Sequence, residues 1–222
     1  MKTLVIDTAF EQCQVGLWDD TAQGHASCVA SRSVTGGGQH DRVLVPLVEE
    51  ALAESGIALS DLGRILVTTG PGRFTGLRVG IAFARGLALV HNTPLLGVST
   101  MDALIQDWND YARHTVLQSK KHVLLVAVKR GETYALTMDN ADNPQGKMER
   151  VMDDDFITHF GSDESVCFAG MMSQEVLDMV ATQDNMSVVD AVRYPSLQAI
   201  FAVGNTKEFQ ENEPVRPHYS LD

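Results

Sequence analysis

A glycine-rich segment is the part of the sequence whose residue types best suit the binding of a phosphate or another anion. The segment Gly70–Gly76 reads GPGRFTG, follows an apolar run and precedes a long apolar helix. Gly70 and Gly72 therefore stand before a helix N-terminus, where free backbone amides and the helix dipole favour negative charge. A nucleotide-binding P-loop needs a lysine after its last glycine, and none follows Gly76. The sequence favours the alternative, a tight turn that sets up close helix packing.

Metal ligands and catalytic nucleophiles form no recognisable pattern. The seven histidines, at positions 25, 40, 91, 114, 122, 159 and 218, include no two that are four residues apart. A helical HxxxH site cannot form, so we expect neither zinc nor iron and no other cofactor. No GxSxG nucleophile elbow occurs either. His40, which precedes the first long helix, could reach a partner surface or lie in solvent.

The net charge limits which partners the chain can bind alone. Lys and Arg number 17 against 29 Asp and Glu, which leaves a formal charge of −12 at pH 7. Such a chain repels phosphate backbones, so nucleic acid should bind only through a basic partner. The three cysteines form no CxxC pair, and the sequence has neither a signal-peptide core nor an 18-residue apolar run. We expect a reduced, soluble, cytoplasmic protein without a membrane segment.

The helix after the glycine segment is apolar almost all round. Between Thr75 and Leu89 its only charges are Arg78 and Arg85, seven residues apart. A row of small residues at i+4 spacing consists of Gly76, Gly80, Ala84 and Ala88. A helix on the rim of a domain normally keeps about half of its circumference polar. This helix therefore packs on two partners within the chain or on another molecule.

The order of predicted elements indicates an α/β fold. The elements are strands at about 3–7, 13–18 and 26–34, a helix from about 40, a strand at 64–69, the small-residue helix, a strand at 94–98 and a helix opened by Ser99. This order resembles the ribonuclease H-like unit of actin and the sugar kinases. Weaker signals follow, with strands at 122–128, 133–138 and 166–169, a loop at 140–146, and helices at 174–181 and 196–209. We expect two ribonuclease H-like lobes of the actin and sugar-kinase superfamily (ASKHA), residues 1–105 and 106–222, the second one reduced.

Asp7 ends the first strand, where the ATPases of that superfamily place the carboxylate that holds hydrated Mg²⁺. Their phosphate-binding turn needs glycine directly after this aspartate, so that backbone amides can approach the phosphates. Thr8 and Ala9 follow here, and Val128 and Lys129 stand where the second lobe should supply another carboxylate. We therefore expect Asp7 to cap the adjacent turn. The residues that stay as weaker candidates for an anion or nucleotide contact are Asp7, Thr8, Gly70 and Gly72.

Five segments form a distinctive set. They are IDTA at 6–9, HDRVLVP at 40–46, GPGRFTGLRVG at 70–80, GVST at 97–100 and RGETY at 130–134. Together they closely resemble the bacterial TsaB family, also called YeaZ, over residues 1 to about 138 and again at 214–219. The chain departs from the family at Arg73, where a small residue is usual, at Val128-Lys129, where Asp-Ala is usual, and at 219–222, where the family ends in Tyr-Leu-Arg.

The resemblance implies a non-catalytic protein that pairs with TsaD. TsaD is the paralogue with metal-binding histidines, and it transfers a threonylcarbamoyl group to the adenosine beside the anticodon of tRNAs that read codons starting with A. TsaE, a P-loop ATPase, is the third member, and tRNA would be met only through the complex. The helices that contact TsaD in the family match residues 40–55 and 75–90 here, and a homodimer of the isolated chain is a further expectation. The residues expected at this interface are His40, Leu44, Leu47, Gly76, Gly80, Ala84 and Ala88.

Two other classes of function remain open. The family's older glycoprotease label suggests a metal-dependent peptidase, which would need metal ligands that the sequence does not show. The fold suggests a sugar-kinase-like ATPase, which would need the missing glycine and the second carboxylate. Metal content and nucleotide affinity of the purified chain separate the three classes.

Overall fold

The chain folds into two compact lobes. The computed structural model describes residues 1–20, 26–36, 39–139, 143–144, 148–161, 165–207 and 214–218. The first lobe contains the described residues of Met1 to Thr100 together with those from Leu197 to His218, and the second lobe contains the described residues of Met101 to Ser196.

Except for the strands at 149–152 and 186–189, which were not predicted, most helices and strands agree closely with the predicted ones. They begin with β1 (Lys2–Asp7), β2 (Gln12–Asp19), β3 (Ser27–Thr35), α1 (His40–Ser55), β4 (Leu62–Gly70), α2 (Phe74–His91) and β5 (Leu95–Ser99). They continue with α3 (Thr100–His114), β6 (Lys121–Lys129), β7 (Glu132–Asp139), β8 (Asn143–Pro144), β9 (Glu149–Met152), α4 (Phe156–Phe160), β10 (Val166–Met171), α5 (Gln174–Ala181), β11 (Met186–Val189) and α6 (Leu197–Asn205). The helix predicted at 196–209 ends at Asn205, and residues 208–209 lie outside the described residues. In the predicted loop at 140–146, residues 143–144 form β8 and the rest lie outside the described residues.

The first lobe is built on a mixed sheet with the strand order β3-β2-β1-β4-β5. The first three strands form an antiparallel meander, whereas β4 and β5 run parallel to β1. Alternate residues of β1 point to opposite faces, so Leu4 and Ile6 contribute to one core while Thr3 and Val5 lie on the other face. Because helices cover both faces, the central strands β1 and β4 are buried along almost their whole length.

Helices α1 and α2 pack together on one face of this sheet. Their buried side chains, which join those of β1, β2 and β4 in one core, are Leu44, Leu47, Val48, Ala51, Ile81 and Ala84. Gly56 ends α1 in the left-handed conformation (φ 66°), which is typical of a C-terminal cap. The loop after β4 turns the chain into α2, so the glycine segment lies at the carboxyl end of a central strand.

Helix α6 covers the opposite face of the same sheet. Its Phe201 ring stacks on Trp18 of β2, with centroids 4.9 Å apart and planes 7° apart. A Cβ atom on Gly204 would come within 2.8 Å of Leu66, so glycine allows the helix to approach β4 closely. The sequence predicts a second lobe of residues 106–222. In the structure α6 belongs to the first lobe, because this helix covers the second face of the first sheet.

The second lobe repeats the strand order of the first. Its sheet runs β11-β10-β6-β7-β8, with β9 also paired to β7. Strands β6 and β7 are antiparallel, whereas β10 and β11 are parallel to β6. The predicted fold class, two ribonuclease H-like lobes, is confirmed. The second lobe is also the reduced one, since α4 has 5 residues and α5 has 8, against 16 in α1 and 18 in α2.

Three aromatic rings form the centre of the second lobe. Phe156, Phe160 and Phe168 have centroids 5.0 to 5.4 Å apart. Beside them the buried Asp153 accepts hydrogen bonds from the Thr133 hydroxyl (3.1 Å) and the Ser173 hydroxyl (2.9 Å). A buried carboxylate with two donors is satisfied within the lobe, so this aspartate has a structural role.

Candidate functional site

The glycine segment is closed by its own backbone contacts. The Arg73 amide donates a hydrogen bond to the Ala9 carbonyl (2.7 Å), and a Cβ atom on Gly72 would lie 2.7 Å from the same oxygen. Gly70 has φ 109°, and a Cβ atom there would lie 2.5 Å from the carbonyl oxygen of His218. The glycines therefore serve close approach between backbones, which supports the tight-turn interpretation. An anion contact at Gly70 and Gly72 stays a prediction.

Asp7 is fully buried and held by three donors. Its Oδ1 accepts from the Ala9 amide (3.0 Å) and from the Thr68 hydroxyl (2.7 Å), and its Oδ2 accepts from the Gln14 side chain (2.9 Å). Burial raises the pKa of this carboxyl, while the three hydrogen bonds act in the opposite direction. The bond from Ala9 is the turn-capping contact that the sequence predicted. With both oxygens engaged in the described structure, Asp7 supports the β1–β2 turn.

The inner side of α2 packs against that turn. A Cβ atom on Gly76 would clash with the Thr8 carbonyl oxygen, and one on Gly80 would clash with the Thr8 hydroxyl. The same hydroxyl donates to the Gly76 carbonyl (2.8 Å). Of the remaining small residues, Ala84 is buried in the core and Ala88 is partly buried. The row of small residues therefore packs within the chain, and its partner is Thr8.

The residues of α1 that the sequence placed at an interface are also inside the lobe. Leu44 and Leu47 belong to the core beneath α1, and His40 is buried beside Gly76. The Nε2 atom of His40 has no hydrogen-bond partner in the described structure. The structure thus brings His40, Thr8 and Gly76 together, but it leaves a different set of side chains open to solvent.

The solvent side of α2 is called here the outer face, and its exposed residues up to Val90 are Phe74, Thr75, Arg78, Ala82, Arg85, Gly86, Leu89 and Val90. Phe74 is 52% exposed and Leu89 is 83% exposed, and Val90 at the helix end is 73% exposed. Gly86 differs from the inner glycines, because a Cβ atom there would meet nothing within 4 Å. Nothing within the described chain explains why this helical position is glycine. Val45, 43% exposed on α1, adds a further apolar side chain.

The outer face is also basic. Arg78 lies over the Phe74 ring at 5.0 Å, and Arg85 donates to the Val215 carbonyl of the C-terminal segment. An open groove of about 420 Å³ runs along the helix between these side chains. Its lining consists of Phe74, Arg78, Ile81, Ala82, Arg85 and Pro217. An apolar floor between two guanidinium groups suits a protein segment with mixed apolar and acidic character.

Metal ligands are not assembled in the part of the chain that the structure describes. No group of three or more His, Cys, Asp or Glu side chains there could hold an ion. The buried His122 packs on Trp108, 5.3 Å between centroids, and burial lowers the pKa of its imidazole. His25 lies outside the described residues, as do 219–222, where the chain departs from the Tyr-Leu-Arg ending. Arg73, another departure, forms an ion pair with Glu11. The described helices also include none that is long and apolar enough to cross a bilayer.

Sequence reasoning missed Gly86 as a site residue. The signal was available, because Arg78, Ala82, Gly86 and Val90 form a second i+4 row on the same helix. Spacing alone cannot tell which of two rows is buried. The distinction requires knowledge that Thr8 lies across from the first row.

Fold and site together define a class of protein. The chain is an α/β protein of two ribonuclease H-like lobes, and its candidate site is an apolar and basic helix face. A family model described as "TsaD: tRNA N6-adenosine threonylcarbamoyltransferase" matches residues 35–206. TsaB of Escherichia coli K12, a "tRNA threonylcarbamoyladenosine biosynthesis protein", is 35% identical over 136 residues, which are 60% of this chain and 53% of that protein. TsaB of Haemophilus influenzae is 30% identical over 134 residues, 60% of this chain and 52% of that protein.

The chain belongs to the family that this model describes, and its relatives place it with the TsaB (YeaZ) proteins. The predicted membership is confirmed, although the matched region spans about half the length of these relatives. Among solved structures, YeaZ from Pseudomonas aeruginosa matches with a TM-score of 0.72 and 23% identity, covering 99% of each chain. A second structure, titled as similar to "peptidase YEAZ" from the same organism, matches with the same TM-score and identity over 100% of this chain and 99% of that one. These likenesses show that the fold is shared.

Proposed function

We propose that this chain is a non-catalytic subunit that pairs with TsaD for N6-threonylcarbamoyladenosine modification of the adenosine beside the tRNA anticodon. The observation that carries the proposal is the outer face of α2. Its apolar side chains are exposed, and no contact within the described chain requires glycine at position 86. Both features are typical of a surface that the backbone of a partner approaches closely. The names of the relatives, which describe tRNA threonylcarbamoyladenosine biosynthesis proteins, indicate the pathway.

The contact with TsaD uses helices α1 and α2, through their exposed residues. Gly76, Gly80, Ala84, Leu44 and Leu47 support this surface from beneath, because they hold α1 and α2 on the sheet. Direct contact falls to the outer face of α2 and to the exposed Val45 of α1. Large apolar side chains in one exposed region of a monomer are typical of protein interfaces. The same surface serves a homodimer when TsaD is absent.

The proposed subunit supports catalysis without performing it. The described residues bring together no metal-ligand group, and Asp7 and the glycine segment are engaged in contacts within the first lobe. A peptidase or kinase reaction would need chemical groups that this part of the chain does not assemble. With a charge of −12, the chain meets tRNA through TsaD, and TsaE joins the same assembly.

Co-purification from the native cell tests the proposal. The tagged chain at its natural level should retain TsaD, identified by mass spectrometry, in a 1:1 complex on sizing chromatography. Adding the purified chain to TsaD and TsaE should also restore modification of a tRNA that reads codons starting with A, while the chain alone modifies none. Retention of zinc with peptidase activity, or ATP turnover by the chain alone, would contradict the proposal. Full tRNA modification without the chain would contradict it as well.

A further inference from the structure

Helix α2 is positively charged, whereas the chain as a whole is negatively charged. The protein carries a net charge of −12, yet the 18 residues of α2 include no Asp or Glu, and their formal charges come from Arg78 and Arg85. Arg78 and Arg85 are seven residues apart, which is about two helical turns and about 10 Å along the axis. Both therefore point to the same side of the helix, with Ala82 between them.

These two arginines lack carboxylate partners among the described residues. Elsewhere in the first lobe, Arg32 pairs with Glu50 and Glu54, and Arg73 pairs with Glu11. Arg78 instead lies over the Phe74 ring, and Arg85 donates to a backbone carbonyl. A guanidinium group has five N–H donors, and its best-matched acceptor is a carboxylate or a phosphate. Most donors of both side chains are therefore open to a binding partner.

The groove between the arginines is apolar as well as positive. Its floor includes the buried Ile81 and the small Ala82, and Pro217 of the C-terminal segment forms one wall. A phosphate backbone would meet the two charges but would leave these apolar contacts unused. A helix that carries a carboxylate between apolar side chains would satisfy both.

We propose that the TsaD partner docks on this groove with a helix that places at least one Asp or Glu side chain between Arg78 and Arg85. This inference rests on the proposed function, because it specifies the chemistry of the same partner surface. The arginines provide charge complementarity and fix the register of the partner helix, and the apolar floor excludes water around the ion pairs. A partner without acidic residues at that position would be rejected, since the two cations would be buried unpaired.

Charge reversal tests the inference. Arg78→Glu and Arg85→Glu are compared with Arg130→Glu, a matched exposed arginine of the second lobe. Each of the first two should weaken TsaD binding by at least about 10-fold at low salt, and the control should bind like the wild type. The affinity of the wild type should fall more steeply with salt than that of either variant, because part of its attraction is electrostatic. All four proteins should melt in one cooperative transition above the assay temperature, which separates a binding defect from a folding defect.

The outcomes distinguish the two proposals. If the wild type forms no complex with TsaD, both the proposed function and this inference fail. If the wild type binds and both reversals bind equally well, the inference alone fails. If the reversals leave TsaD binding unchanged but abolish binding of tRNA to the assembled complex, the groove recognises phosphate and the inference is overturned.

Discussion

Two glycines of one helix should respond to alanine in opposite ways. Gly80 and Gly86 are six residues apart in α2, but their surroundings differ. A Cβ atom on Gly80 would clash with the buried Thr8 hydroxyl, whereas one on Gly86 would meet nothing within 4 Å. The two variants Gly80→Ala and Gly86→Ala therefore make the same chemical change in the same helix and differ only in what lies opposite.

The magnitudes follow from that difference. Replacing a helical glycine by alanine raises the free energy of unfolding by about 1 kcal/mol, and this gain applies to both variants. Overpacking a filled site costs about 1–3 kcal/mol, and this cost applies only to Gly80→Ala, since Thr8 is bound to Gly76 and cannot easily shift. The two variants should therefore differ by about 1–3 kcal/mol. For a chain of this size 1 kcal/mol corresponds to about 2–4 °C in melting temperature.

Scanning calorimetry on the wild type and both variants measures the effect. Gly86→Ala should melt about 2–4 °C above the wild type, and Gly80→Ala should melt about 2–12 °C below Gly86→Ala. Equal stabilisation by both alanines would refute the reasoning, because it would show that the inner row of α2 is not packed on Thr8. Urea titration of the same samples gives an independent estimate of the difference.

Three further predictions concern buried groups. Because burial raises the pKa of Asp7 above its ordinary value of 3.8, its contribution to stability is fully present below that pH and is lost as pH rises through the folded-state value. The free energy of unfolding of Asp7→Asn should therefore increase relative to that of the wild type as pH rises above about 4. If the two free energies change in parallel with pH, the prediction is wrong. Burial raises the pKa of all three thiols, that of Cys13 to about 12, but only Cys28 is exposed, so a thiol reagent at pH 8 should label Cys28 alone in the native protein, with Cys28→Ser as the control. Phe201→Ala should cost about 3–5 kcal/mol by removing the ring stacked on Trp18, and an unchanged melting temperature would show that α6 does not belong to the first lobe.

Local pattern predicted most of the fold. The apolar run of β1 and the alternation of apolar and polar residues in β2 predicted the antiparallel meander, and the residues after β4 predicted α2. These signals could be read because they depend only on neighbours in sequence. Helix α6 was assigned to the wrong lobe for a physical reason. Its packing on Trp18 and Leu66 joins parts of the chain more than 130 residues apart, and no local pattern encodes that contact.

The candidate site was predicted less well than the fold. The motif at 70–80 predicted the position of helix α2, and Asp7 was correctly expected to cap a turn. The small-residue row was expected to face a partner, yet it faces Thr8. Helix α2 carries small residues on two of its sides, Gly76, Gly80, Ala84 and Ala88 on one and Ala82 and Gly86 on the other, and few charges, so its sequence fits either orientation. Only the position of the β1–β2 turn decides between them.

The affinity of Gly86→Leu for TsaD tests the central claim most directly. Leucine at this exposed position should leave the fold intact, because no described atom lies within 4 Å of the new Cβ. It should weaken binding measured by calorimetry at least about 10-fold, since the partner backbone could no longer approach the outer face of α2. Ala181→Leu, on an exposed position of α5, controls for the added apolar surface and should bind like the wild type. A stable Gly86→Leu protein that binds TsaD with unchanged affinity would contradict the claim that this face is the interface.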